Sequence, residues 1–149
     1  MSKQEEAGLI LKLFELRRED TMRRARTWFT IEFQPKSFAD FNKAIFGEHS
    51  GHLRMVVGYW DMAAALVNNG AISIELFNDA NNEHIGVFAK IEPLLGEIRG
   101  AFGPQFAANL EKLIDATPDG RKKVADLRER MNRILAEIAN QQARAAQQA

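Results

Sequence analysis

The hydrophobic residues of this chain recur every three or four positions, which is the spacing of amphipathic α-helices. The strongest such pattern covers residues 51–69, where Arg54 and Asp61 are the only charged side chains between residues 53 and 67. A helix that is apolar on nearly every face must be shielded from water on nearly every face. We therefore predict that helix 51–69 lies at the centre of the core.

A long helix is predicted at each end of the chain. The first begins at Ser2, which can form a capping box with Glu5, and meets no proline before Pro35. A helix of roughly 30 residues would be about 45 Å long, so it either projects or breaks near Thr27–Thr30, where β-branched and aromatic residues cluster. The last helix follows Thr117-Pro118-Asp119. It carries an apolar seam at heptad spacing: Val124, Leu127, Met131, Ile134 and Ile138.

Shorter helices are predicted in the middle of the chain, and Pro93 should kink one of them. The fold class we predict is all-α, with about six helices, of which the two long terminal ones pack around helix 51–69. The length suits one domain over residues 1–149. The Gln/Ala-rich end, residues 141–149, has lost the apolar seam and should fray.

The composition excludes several classes of site. The chain has no cysteine, so disulfides, thiolate metal sites and cysteine nucleophiles are ruled out. Its 20 basic and 20 acidic residues give no net charge, which argues against a dedicated nucleic-acid binder. The charge is uneven, however. Residues 1–34 carry 7 basic and 6 acidic side chains (+1), residues 35–117 carry 6 and 10 (−4), and residues 118–149 carry 7 and 4 (+3). The acidic middle and basic ends could attract each other within one chain or between two.

We expect a cytoplasmic protein without a membrane span. Met1 is followed by polar residues rather than by the apolar stretch of a signal peptide. The longest apolar region, Met55–Val67, is interrupted by Asp61 and is shorter than the ~18 residues that a spanning helix needs.

No catalytic motif or cofactor fingerprint is recognisable, so we expect neither an enzyme nor a bound cofactor. His49 and His52 are three residues apart, but no third ligand has a defined place, so we predict no metal site. The densest basic patch contains Arg23 and Arg24. On a helix its arginines would be spread around the axis, which favours pairing with nearby acids over nucleic-acid binding.

The predicted central helix carries one polar stripe, formed by Arg54, Gly58, Asp61 and Ala65. Arg54 and Asp61 are seven residues apart, about 10 Å, so they cannot pair directly. Each could find a partner on a neighbouring helix that approaches closely at the small residues. The alternative is a ligand groove in which Arg54 and Asp61 are the polar anchors.

Residues 38–77 resemble an uncharacterised family of small bacterial helical proteins, classed as a domain of unknown function. The resemblance rests on Phe41-Asn42, Tyr59-Trp60-Asp61-Met62-Ala63, Val67-Asn68-Asn69-Gly70, Ile72 and Leu76-Phe77. It implies an all-helical fold and no known activity. Members often carry a membrane-spanning N-terminus, but Met1–Phe33 holds 13 charged residues here, so we expect no membrane role.

Two functional hypotheses follow from these patterns. The first is a helical interaction or scaffold module that forms a homodimer, with Arg23, Arg24, Met131 and Ile134 as contacts. The second is a small-molecule sensor with a pocket near Pro93 and the Arg54–Asp61 stripe. Both remain open from the sequence.

Overall fold

The computed structural model describes residues 2–149, and the regular structure in this range is helical throughout. The predicted all-α class is confirmed. Nine α-helices replace the expected six or so, because the N-terminal helix is divided and Pro93 ends another. Within the described residues, no helix is both long and apolar enough to cross a membrane. The helices are α1 (Lys3–Arg17), α2 (Asp20–Thr27), α3 (Phe38–Ile45), α4 (Ser50–Asn68), α5 (Ile74–Ala80), α6 (Glu83–Ile91), α7 (Leu95–Phe102), α8 (Ala108–Ala116) and α9 (Gly120–Gln148).

The predicted 30-residue N-terminal helix breaks at Arg18–Glu19, earlier than expected. The buried residues Leu13 and Met22 are nine positions apart, which on one straight helix would place them on opposite faces. The break lets both face the core, and the Glu19 carboxylate caps the new helix by accepting from Met22 N at 3.1 Å. A wider helical turn, Trp28–Glu32, then ends the segment close to the predicted weak point.

The central helix is confirmed as α4, one residue earlier than predicted. It packs against α2, α3, α6 and α8. Its buried face consists of Leu53, Val56, Val57, Trp60, Ala63, Ala64 and Val67. Trp60 is completely buried, so α4 provides the largest of the fully buried side chains among the described residues. The outer face, which includes Arg54 and Gly58, stays exposed.

The N-terminal end of α6 carries a partly buried polar cluster. Glu83 accepts hydrogen bonds from Arg26 Nη2 at 2.7 Å and from Trp60 Nε1 at 3.1 Å. The next residue, His84, is fully buried, with its ring centroid 5.8 Å from Trp60 and 4.9 Å from Phe77. Neither ring nitrogen of His84 has a hydrogen-bond partner among the described residues. Burial lowers the pKa of His84 to about 4, so this imidazole is neutral at pH 7.

The C-terminal helix α9 is long, as predicted, but it packs on α6 and α8 rather than around the central helix. Its first half is fixed by charge as well as by packing. Arg121 contacts Glu92 at 2.6 Å, Asp115 at 2.7 Å and Glu111 at 2.8 Å. Arg128 also binds Glu92. The attraction expected between the acidic middle and the basic C-terminal segment therefore operates within one chain.

Candidate functional site

A groove near Pro93 is one of the larger depressions on the described surface. We call it the Pro93 groove. It runs between the end of α6, the first half of α9 and the segment after Phe33, and its volume is about 500 Å³. Its lining residues are Gln34, Pro35, Lys36, Gly86, Ala89, Lys90, Pro93, Arg128, Met131, Asn132 and Leu135. Gly86, Lys90 and Met131 also line a neighbouring depression of about 250 Å³, so the two spaces adjoin.

Lys90 is the polar feature at the junction of these spaces. Its ammonium group donates to the carbonyl oxygen of Phe29 and lies 4.8 Å from the centroid of the Phe29 ring. A longer contact reaches the Thr30 carbonyl at 3.4 Å. The wide turn leaves these carbonyls near its end, so Lys90 acts there as a C-terminal cap. Burial lowers the pKa of Lys90 to about 8.

The second candidate surface is the end of α9 beyond the domain body. We call residues 134–148 the α9 arm. Every residue after Leu135 is exposed, so the last 13 helical residues, about 20 Å of helix, extend away from the body. Ile134 and Ile138 are 48% and 45% exposed on this arm. The fraying predicted for residues 141–149 stays a prediction, because the helix continues to Gln148 with every side chain in solvent.

The structure does not bring Arg54 and Asp61 to the Pro93 groove. Asp61 has a structural task instead: its carboxylate accepts from Leu110 N at 2.9 Å and from Asn109 Nδ2 at 3.2 Å, and so caps α8. Arg54 lies on the exposed face of α4, where it lines a shallow depression with Met55 and Met62. The predicted polar stripe is thus divided between a helix cap and open surface. A Cβ added at Gly58 would meet nothing within 4 Å, so no helix packs closely there.

Arg23 and Arg24 are exposed on α2 and line an open depression of about 630 Å³. His49 and His52 lie on its other side, with their rings stacked at 5.5 Å. The nearby Trp28 ring stacks with Phe33 and His49 and is buried, so it offers little surface to a ligand. Asp20 and Glu32 also line this depression and balance the two arginines.

Met131 and Ile134, the remaining predicted contacts, lie where the groove and the arm meet. Met131 is half-buried in the wall of the Pro93 groove, and Ile134 is the first residue of the α9 arm. Sequence reasoning missed Lys36 and Lys90. The signal available for Lys90 was that it is the only basic residue in the apolar run from Ile85 to Leu95.

The model of the family described as Domain of unknown function (DUF4760) matches residues 4–117. This match covers nearly all of α1 and continues through α8, and it ends before α9 begins. No curated protein and no solved structure matches the chain significantly. Helix α9, which forms one wall of the Pro93 groove and the whole α9 arm, therefore lies outside the matched region.

Proposed function

The chain belongs to the DUF4760 family of domains of unknown function, and we propose that it is a helical interaction module that binds a second copy of itself through α9. The observation that carries this proposal is the apolar stripe on the α9 arm. Ile134 and Ile138 continue the line of Leu127 and Met131 past the point where the body ends. An isolated helix of ~13 residues is marginal in water, so the arm would gain stability from a partner.

We place the second copy antiparallel along this stripe, where Ile134 and Ile138 are exposed and Leu127 and Met131 are half-buried against their own chain. When Met131 faces Ile134 of the partner subunit, Leu127 faces Ile138 of the partner subunit, and two-fold symmetry repeats both contacts. The same register places Arg130 beside Glu137 of the partner subunit, also twice. These two residues flank the apolar seam at positions that pair charges in antiparallel helices.

The distribution of charge along α9 supports this division of roles. Arg121 and Arg128 in the first half are already bound to carboxylates of their own chain. Arg130 is exposed and Glu137 contacts only Gln141, at 3.2 Å, among the described residues. The charges beside the stripe therefore remain open to a partner. We propose a cytoplasmic setting as well, because a chain without cysteine suits a reducing compartment.

Light scattering on the gel-filtered protein, over a range of concentration, tests the proposal. We expect a dimer for the unmodified chain and a monomer for the double variant Ile134→Lys with Ile138→Lys. The matched control is Ala136→Lys with Ala143→Lys, which adds the same charge on the opposite face of the arm and should stay dimeric. A chain that is monomeric at all concentrations, or two double variants that behave alike, would rule out the α9 interface.

A charge exchange tests the register. Arg130→Glu alone should weaken the dimer, and adding Glu137→Arg should restore it, because both pairs are then reversed together. If Glu137→Arg instead weakens the dimer further, so that the effects of the two substitutions add, the helices meet in another register. Reversing Arg23 and Arg24 on α2 should leave this dimer intact; a loss there would assign a second contact surface to α2.

A further inference from the structure

The Pro93 groove combines apolar walls with positive charge. Its apolar lining residues include Pro35, Ala89, Pro93, Met131 and Leu135. Three basic side chains line it, and no carboxylate among the described residues does. The groove is thus suited to a molecule that has both an apolar part and a negative charge.

The three basic side chains are engaged to different degrees. Arg128 is bound to Glu92 and to the carbonyl oxygen of Ala89, at 2.8 Å for the latter. Lys90 contacts backbone carbonyls and an aromatic ring, which attract its charge but do not neutralise it. Lys36 is exposed at the rim. Lys36 and Lys90 are therefore the cations that an entering anion would meet.

Burial of an uncompensated ammonium group gives the groove a preference between ligands. The charged form of Lys90 is disfavoured by its surroundings, and burial lowers its pKa to about 8 for this reason. A neutral or cationic ligand would leave that charge uncompensated or add to it. An anion would offset it, so the groove should select by charge as well as by shape.

We propose that the Pro93 groove binds a single-chain apolar carboxylate. The carboxylate lies between Lys36 and Lys90, and the chain runs along Pro93 and Met131 towards Leu135. This site shares Met131 and Leu135 with the surface proposed above for self-association, but Lys36 and Lys90 lie outside that surface, so anion binding can be tested independently of the dimer. Lysine ammonium groups are compact point charges, which attract an anion without requiring a particular planar geometry, so a singly charged carboxylate is enough to offset them.

Isothermal titration calorimetry with decanoate, below the concentration at which it forms micelles, tests this site. Decanoate should bind, whereas decyltrimethylammonium and decanol should bind at least about tenfold more weakly, since neither offsets the charge of Lys90. Lys36→Glu should weaken decanoate binding about five- to tenfold. The control Lys43→Glu, the same change at an exposed position on α3, should leave it unchanged.

A second readout concerns Lys90 itself, whose replacement could also disturb the fold. Decanoate bound near this amine should raise its pKa, so binding at pH 8 should take up about half a proton, measured in buffers of different ionisation enthalpy. The proposal is overturned if decanoate does not bind, if the decyl cation binds equally well, or if Lys36→Glu and Lys43→Glu behave alike. Sedimentation of the protein with phosphatidylglycerol vesicles, without binding of free decanoate, would overturn the single-ligand site in favour of a lipid surface.

Discussion

The two ends of α6 hold polar side chains in opposite ways. At the N-terminal end, Glu83 and Arg26 form a pair whose side chains are each 28% exposed, and His84 beside them is completely buried. At the C-terminal end, Glu92 binds Arg121 and Arg128, and the Arg121 side chain is 45% exposed although it contacts three carboxylates. Both clusters contain hydrogen-bonded ion pairs, but the first includes a buried imidazole with no hydrogen-bond partner among the described residues, whereas the second is built around an exposed guanidinium with three carboxylate partners.

This difference shows that the number of hydrogen-bond partners does not by itself determine how strongly a polar group affects the stability of the fold. Hydrogen bonds from Arg128 and Arg121 outweigh the effect of burial and hold the pKa of Glu92 below its ordinary value. Solvent and salt still screen these contacts, which keeps each one weak. His84 makes no hydrogen bond among the described residues, yet any charge placed on it would be expensive because its surroundings are aromatic.

The largest effect we expect is the acid sensitivity that His84 confers. Below its ordinary pKa near 6.5 the unfolded chain protonates this residue, but the folded chain does not until about pH 4. The folded state therefore loses stability as the pH falls through this window, on the order of 3 kcal/mol in all. His84→Phe should remove this loss. Urea unfolding of the unmodified chain and of His84→Phe at pH 7 and pH 4.5 measures this loss. If the two proteins differ in free energy of unfolding by the same amount at both pH values, His84 is not the source of the acid sensitivity.

Breaking the pair at the same end should cost somewhat less. Arg26→Met leaves the Glu83 carboxylate with only Trp60 Nε1 as a donor, in a partly dry site. Because both side chains keep some solvent contact, we expect a loss of about 2 kcal/mol rather than the larger cost of a fully buried pair. Arg24→Met, an exposed change on the same helix, should alter the free energy of unfolding by less than about 0.5 kcal/mol. Similar losses for both variants would show that the pair contributes little.

The exposed network should respond more weakly and should depend on salt. Arg121→Gln removes the shared partner of three carboxylates, and we expect a loss of about 1 kcal/mol at low ionic strength that falls by half or more in 1 M NaCl. Hydrogen bonds from Arg121 also lower the pKa of Glu111. The network's contribution is therefore present above the ordinary carboxyl pKa and is lost as the pH falls below about 4.5. If the stability lost in Arg121→Gln does not change with salt or with acid, the network is not the exposed, screened cluster described above.

The smallest expected effect is a gain at the middle of α6, between the two clusters. A Cβ added at Gly86 would lie 3.5 Å from Leu127 Cδ2, an ordinary contact. Gly86→Ala should therefore stabilise the fold by about 0.5 kcal/mol through the lower entropy of the unfolded chain. Gly120→Ala is the opposite case, since its Cβ would lie 1.9 Å from the Ile114 carbonyl oxygen and should destabilise the α8–α9 junction. Thermal unfolding compares the stabilities of the two variants. A destabilising Gly86→Ala would show that α6 and α9 are packed too closely to accept an added methyl group.

The sequence was most informative where a local pattern determines the structure. The apolar run of α4, the Thr117-Pro118-Asp119 start before α9 and the interruption at Pro93 were all predicted, because each depends on neighbouring residues. The break at Arg18–Glu19 was missed, since it follows from the directions in which Leu13 and Met22 must face once the core exists.

The candidate sites were less accessible to prediction, because their residues come together only in the fold. Asp61 caps a helix that begins 47 positions later in the chain, which no spacing rule reveals. Lys36, Lys90 and Met131 come from three distant segments that meet at the Pro93 groove. Met131 and Ile134 were identified from the heptad pattern, but their different exposure depends on where the domain body ends.

Because α9 is one continuous helix, the direction in which the apolar stripe of its arm faces is fixed relative to the domain body. Each residue turns the helix by about 100°, so deleting one residue between Met131 and Ile134 would swing the distal stripe through that angle relative to the Pro93 groove. Adding seven residues would change the direction by only about 20° while moving the tip about 10 Å outward. The arm can thus be lengthened in steps of seven residues with little change in the direction of its apolar stripe. Insertions or deletions of other lengths would turn the stripe away from its present direction.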